Sequence, residues 1–241
     1  MKARSIIQLA ATLVVLHLGT IASDAQMVTA SVSAGTAPLA MAVNPVTNKI
    51  YVVNSESNTV TVIDGATNST ATVSTGSQPH AVAVNPVTNK IYVANLDSAD
   101  VTVIDGVTNA TTTIITGVHP EAVAVNPVTN QIYVANTGSN NVTVINGATN
   151  STSTVTVRTR PYAVAVNPVS NKIYVANFGS NSVTVIDGAT NNATTVGAGS
   201  GLCTGHHQFF WPDRHRCRHG RDSCGSGATA GRRPGTTGQQ Y

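Results

Sequence analysis

From residue 38 onward, apolar and polar side chains alternate in short runs, each stopped by residues that turn a chain. Period-two alternation over five or six residues puts apolar side chains on one face of an extended segment, so each run is predicted to be a strand and none is long enough for a helix. The first, at 39–43, is apolar and ends at Asn44-Pro45-Val46-Thr47-Asn48, where proline fixes φ and removes a ladder donor. A second is expected at 49–53. A third, at 59–63, alternates threonine with valine and closes on Asp64-Gly65, a turn in which glycine is expected at positive φ. A fourth, at 70–75, closes on Gly76.

This four-strand unit is written four times. Tyr51, Tyr92, Tyr133 and Tyr174 stand 41 residues apart, and Pro38, Pro79, Pro120 and Pro161 recur in phase with Asn44, Asn85, Asn126 and Asn167 and with Gly65, Gly106, Gly147 and Gly188. A fixed period near 40 with four strands per unit predicts an all-β protein, a β-propeller of four-stranded antiparallel blades at about 38–76, 79–117, 120–158 and 161–199. Strand interiors are Val, Ile and Ala with few aromatics, so each blade must gain most of its stability from its neighbours. Residues 27–34 align with the last strand of a blade and predict an extra N-terminal strand. The fourth copy already has such a strand near 193–196. The four complete repeats are therefore expected to form an incomplete or open arc with exposed end faces.

The tetrapeptides Tyr51-Val52-Val53-Asn54, Tyr92-Val93-Ala94-Asn95, Tyr133-Val134-Ala135-Asn136 and Tyr174-Val175-Ala176-Asn177 each follow Asn-Pro-x-x-Asn and precede Val-Thr-Val-Ile-Asp/Asn-Gly. Over residues 27–200 this pattern resembles the YVTN-type β-propeller repeat, with Val or Ala where that motif has its Thr. The resemblance implies a secreted or surface-layer propeller, often of about seven blades, with no single chemistry attached.

The flanking segments differ from the repeats. Lys2 and Arg4 followed by an apolar stretch at 6–18 and small residues at 23–25 read as an export signal at 1–25, with cleavage before Gln26. The apolar stretch is shorter than the ~20 residues that span a bilayer. Export to the periplasm, cell surface or medium suits repeats without cysteine, because Cys203, Cys217 and Cys224 all lie beyond them. Where a fifth copy should place its proline stands Leu202, and 201–241 becomes an irregular tail rich in Arg, Gly, His and Cys, expected to be disordered. Arg214 to His219, read in another frame, permits a third-strand motif, so the tail is readable as a frameshifted blade. The cysteines and histidines of the tail match no zinc spacing.

The formal net charge of +3 comes from these flanks. Residues 26–200 carry Lys49, Lys90, Arg158, Arg160 and Lys172 against Glu56, Asp64, Asp97, Asp100, Asp105, Glu121 and Asp187, a slightly negative balance that argues against nucleic acid as a partner.

Near-identical blades offer few of the differing residues that catalysis requires, so no catalytic residue, metal or cofactor is expected. The copies diverge around the repeat proline: Ala37-Pro38-Leu39, Gln78-Pro79-His80, His119-Pro120-Glu121 and Arg160-Pro161-Tyr162. These positions are expected to ring one mouth of the channel, and His80, His119, Glu121, Arg160 and Tyr162 are the binding candidates. A second variable set, Glu56, Leu96, Asp97, Asp100 and Phe178, follows the tetrapeptides. The expected function is a non-enzymatic, exported binding or surface-associated scaffold for a protein or glycan ligand, with self-association through its end blades. The rival is a propeller enzyme of the lactonase or quinoprotein dehydrogenase type, and a third reading is an inactive fragment of a longer propeller. Glycosylation sequons begin at Asn68, Asn109, Asn141, Asn150 and Asn192, where asparagine also serves turns.

Overall fold

The computed structural model describes residues 31–198. The first blade contains β1 (Pro38–Asn44), β2 (Lys49–Asn54), β3 (Thr59–Asp64) and β4 (Thr70–Ser74). The second has β5 (Pro79–Asn85), β6 (Lys90–Asn95), β7 (Asp100–Asp105) and β8 (Thr111–Ile115). The third has β9 (Pro120–Asn126), β10 (Gln131–Asn136), β11 (Asn141–Asn146) and β12 (Thr152–Thr156). The fourth has β13 (Pro161–Asn167), β14 (Lys172–Asn177), β15 (Ser182–Asp187) and β16 (Ala193–Gly197), with a 3-10 turn at Phe178–Ser180. Each blade is a four-stranded antiparallel meander in chain order, as the alternation predicts.

The turn chemistry differs from expectation at one repeated point. Gly65 is not at positive φ; a Cβ there would come within 2.5 Å of Asn48 Oδ1, so the glycine is required by close approach of the first turn. Positive φ falls instead on asparagines such as Asn48 (50°), Asn58 (54°) and Asn68 (60°), whose short polar side chains tolerate the left-handed region. Asn109 and Asn150 do the same at 60°, which gives these sequon asparagines a structural reason to be present.

The two faces of each blade have different partners. Tyr51, Val53, Val60 and Val62 form one face of the first blade and pack on Ile91, Val93 and Ile104 of the second. Tyr92, Val101 and Val103 pack in the same way on Ile132, Val134 and Ile145, and Tyr133, Val142 and Val144 on Ile173, Val175 and Ile186. Full burial of each such aliphatic side chain contributes about 1.5–3 kcal/mol. The inner strand β1 packs on β5, β5 on β9 and β9 on β13, with no comparable packing between β13 and β1 among the described residues. The result is an incomplete propeller of four blades. Tyr51, Tyr92 and Tyr133 are fully buried, whereas Tyr174 is 41 % exposed because no fifth blade lies against it among the described residues.

A polar seam runs beside the apolar one. In Asn-Pro-x-x-Asn, Asn44 Oδ1 accepts the backbone N–H of Val46 at 3.0 Å, closing the local turn, while its Nδ2 donates to Asn89 Oδ1 of the next blade at 2.8 Å. Asn85 bonds Asn130 and Asn126 bonds Asn171 in the same way, each at 2.9 Å. One side chain thus shapes its own blade and registers the next.

At the end of the third strand, Asp64, Asp105 and Asp187 accept backbone N–H groups two and three residues ahead. The N–H of Thr67 leads in holding the Asp64 pKa below its usual value, and the ammonium of Lys90 leads at Asp105. Lys172 leads at Asp187, and together with the N–H groups of Ala189 and Thr190 it lowers that carboxyl to about 2. Folded-state pKa values that are depressed give stability that is full above the unfolded carboxylate range and lost as pH falls through the folded values. The third blade has Asn146 here, making the same turn bonds without a proton to gain. Denaturation midpoints should therefore fall between about pH 4 and pH 2. Replacing all three aspartates by asparagine should flatten that profile; an unchanged profile would place the acid sensitivity elsewhere.

The expected export signal and the Arg- and Cys-rich tail lie outside the described residues. Of the extra strand expected at 27–34, residues 31–34 are described and carry no strand. Among the described residues no helix is long and apolar enough to cross a membrane.

Candidate functional site

The variable mouth is built by a repeated backbone irregularity. In the first blade Pro38 pairs with Asn54 and Ala40 with Val53, so Leu39 is an extra residue without a partner. The same shift sets His80 between Pro79 and Ala81, Glu121 between Pro120 and Ala122, and Tyr162 between Pro161 and Ala163. Each inner strand thus opens with a β-bulge, a device that re-aims one side chain out of the pleat. The residue before each proline, Ala37, Gln78, His119 or Arg160, has φ of 52–53°, a costly conformation for these residue types. Asn58 Oδ1 accepts the N–H of Gln78 and Asn140 Oδ1 that of Arg160, each at 2.8 Å, which helps to hold the turn in place.

Three of the four bulge residues come together. His80 Nε2 lies 3.2 Å from Glu121 Oε1, and the Glu121 side chain is the more deeply buried of the two. On its other side Glu121 faces the Tyr162 phenol, whose pKa is raised first by burial and then by the charge and hydrogen bonding of Glu121. Burial and the neighbouring carboxylate both favour the neutral phenol. Next to Tyr162, at a ring-centroid distance of 6.2 Å and a tilt of 47°, lies Phe178, with the Arg160 guanidinium carbon 5.4 Å from the Phe178 centroid. His80, Glu121, Tyr162, Phe178 and Arg160 form one line across the second, third and fourth blades. Tyr162 and Phe178 keep much of their ring surface exposed.

Of the five sequence candidates, His80, Glu121, Tyr162 and Arg160 share this line. His119 is exposed, with its Nδ1 turned toward Gly138. Phe178 belongs to the site although the sequence placed it with a separate loop set. Its N–H donates to the Arg160 carbonyl at 2.9 Å, and that pairing across the blade joins the two variable sets. Asp100, from the same loop set, is buried and accepts from Asn95 Nδ2 at 2.6 Å, so it serves the blade interior.

A profile described as YNCE-like beta-propeller matches residues 7–127, half of the 241-residue chain. The chain belongs to this family. No curated protein matches it. Among solved structures, this YNCE-like propeller is similar to hydrazine synthase of Kuenenia stuttgartiensis, with 24 % identity and a TM-score of 0.62 over 70 % of this chain and 52 % of that one. It is also similar to a chain of a nidogen/laminin complex, with 14 % identity and a TM-score of 0.57, covering 66 % of this chain and 63 % of the other. A third, U3-55K, gives 13 % and 0.60, covering 67 % and 52 %. At these identities the likeness is one of fold, and the chain spans between half and two thirds of each relative's length.

At the opposite end of the blades this family member has a groove of about 270 Å³ between the second and third blades, lined by Lys90, Tyr92, Asp105 and Asn150 among others. It is one version of a repeated seam. At the preceding seam Lys49 reaches across to the Gly106 carbonyl at 2.8 Å, and at the following one Gln131 accepts from the Tyr133 hydroxyl at 2.7 Å. In the groove Lys90 turns back to Asp105 of its own blade at 2.7 Å. The bulge line, where the copies differ in chemistry and converge in space, is the better site. Among the described residues no three His, Cys, Asp or Glu side chains gather as a metal site.

Proposed function

We propose that this propeller is an exported binding module that takes an extended polar ligand with an apolar face, such as a glycan, at the mouth ringed by its bulge residues. The observation that carries this reading is the convergence of His80, Glu121 and Tyr162 from three blades, extended by Phe178 and Arg160. The tilted rings of Tyr162 and Phe178 offer apolar surface, and His80, Glu121 and Arg160 supply polar groups that fix orientation, the combination a recognition site needs. The rest of each blade, nearly identical in all four copies, serves as a scaffold for these few differences.

Binding of the full chain to a panel of immobilised glycans tests it. Tyr162→Ala and Phe178→Ala should each weaken the retained ligand at least about tenfold, the loss of one aromatic contact of ~1.4 kcal/mol, without shifting the melting temperature. His119→Ala should leave binding unchanged. Retention that is indifferent to both aromatic variants would sink the assignment, as would turnover of the ligand, which favours the enzymatic alternative.

A further inference from the structure

We infer that the two end faces of the arc are a matched pair, and that the last blade of one copy docks on the first blade of a second copy of this chain. The open face of the first blade presents Met41, 70 % exposed, and Val43, 55 % exposed, beside Ile50 and Ile63. In the second blade the corresponding residues, Val82, Val84, Ile91 and Ile104, all lie in the packing against the first. The open face of the fourth blade presents Tyr174, 41 % exposed, and Val196, 59 % exposed, beside Val183 and Val185. Their counterparts Tyr92, Ile114, Val101 and Val103 are buried against the third blade. Three internal seams thus show what each face accepts, and each open face is what the other lacks.

The polar seam repeats the match. Asn126 Nδ2 donates to Asn171 Oδ1 in the next blade. Among the described residues Asn167, the corresponding donor of the fourth blade, is exposed and its amide has no acceptor, and Asn48, the corresponding acceptor of the first, is exposed with no donor to its side chain. Docking end to end pairs them. Because the contact joins two different faces, two copies that make it twice close into a two-fold symmetric ring. Such a ring has eight blades, within the usual range of about four to eight, and its end faces are covered. A contact that fails to close would propagate as a filament.

The full chain in light scattering should show twice the monomer mass of 24.7 kDa. Met41→Glu and Tyr174→Glu each place a carboxylate on an exposed end position, and each alone should halve the mass while circular dichroism stays that of the parent. Mixed together they should associate into a heterodimer joined by one seam and weaker than the parent ring, because the last blade of the Met41→Glu chain and the first of the Tyr174→Glu chain are both intact while the other seam brings the two carboxylates together. A monomeric parent would overturn the inference. A dimer that survives either substitution, or a mixture that associates no more than either variant alone, would overturn it in favour of another interface.

Discussion

Tyr92→Ala should lower the stability of the dissociated chain by about 3–5 kcal/mol, the usual cost of removing a large ring from a packed interior. Tyr92 is fully buried in the seam between the second and third blades, where it packs with Val101 and Val103 against Ile132, Val134 and Ile145. Tyr174→Ala, the same substitution in the same tetrapeptide, should cost about 1 kcal/mol, since only part of its surface loses contact. Two further consequences separate these variants. The Tyr92 seam is the middle of a nearest-neighbour array, so weakening it should uncouple two blades from two and broaden or split the denaturant transition. Tyr174→Ala should shift the midpoint slightly with an unchanged slope. Equal losses at the two sites would mean that Tyr174 is covered as fully as the others, and the arc would not be open.

Asn126→Ala should cost about 2–4 kcal/mol, because it removes a bond across the seam and an acceptor for the turn at Val128 and leaves polar partners unpaired. Asn167→Ala removes the same turn acceptor from an exposed position with no seam bond among the described residues, so about 1 kcal/mol is expected. The difference isolates the bond between blades. Asn126→Asp sharpens the comparison: it keeps the turn acceptor and puts a carboxylate in place of the amide donor facing Asn171, so it should lose most of what the alanine variant loses. Denaturant midpoints of the three variants measure this directly, and a near-parental Asn126→Asp would remove the asparagine pairs from any role in blade registry.

Asn126 also shows where reading a sequence ends. Its place after the strand and before Pro127 marks a turn, which is local chemistry, and the structure forms that turn. Its second bond goes to Asn171, 45 residues away, and no local pattern carries that pairing. The same division holds at the site. The sequence identified the variable residues around the repeat proline, yet nothing in Pro79-His80-Ala81 announces a bulge, because a bulge is a mismatch between two strands and Asn95 and Ala94 are half of it. Phe178 stood apart from Tyr162 in the chain and lies beside it in space because β13 and β14 pair. Asp100 looked like a variable loop residue and is a buried acceptor, because it opens β7 opposite Asn95 and takes that side chain's amide hydrogen bond.

The sequence by itself determined the strands, their order and their repetition, because period-two alternation and the φ preferences of Asn, Pro and Gly act within a few residues. Tertiary structure decided which side chains converge at the mouth, how each asparagine is shared between blades, and how far Met41 and Tyr174 are left in solvent. Those outcomes depend on packing between segments one blade apart, where distance in space is set by the stacking of sheets and not by distance along the chain.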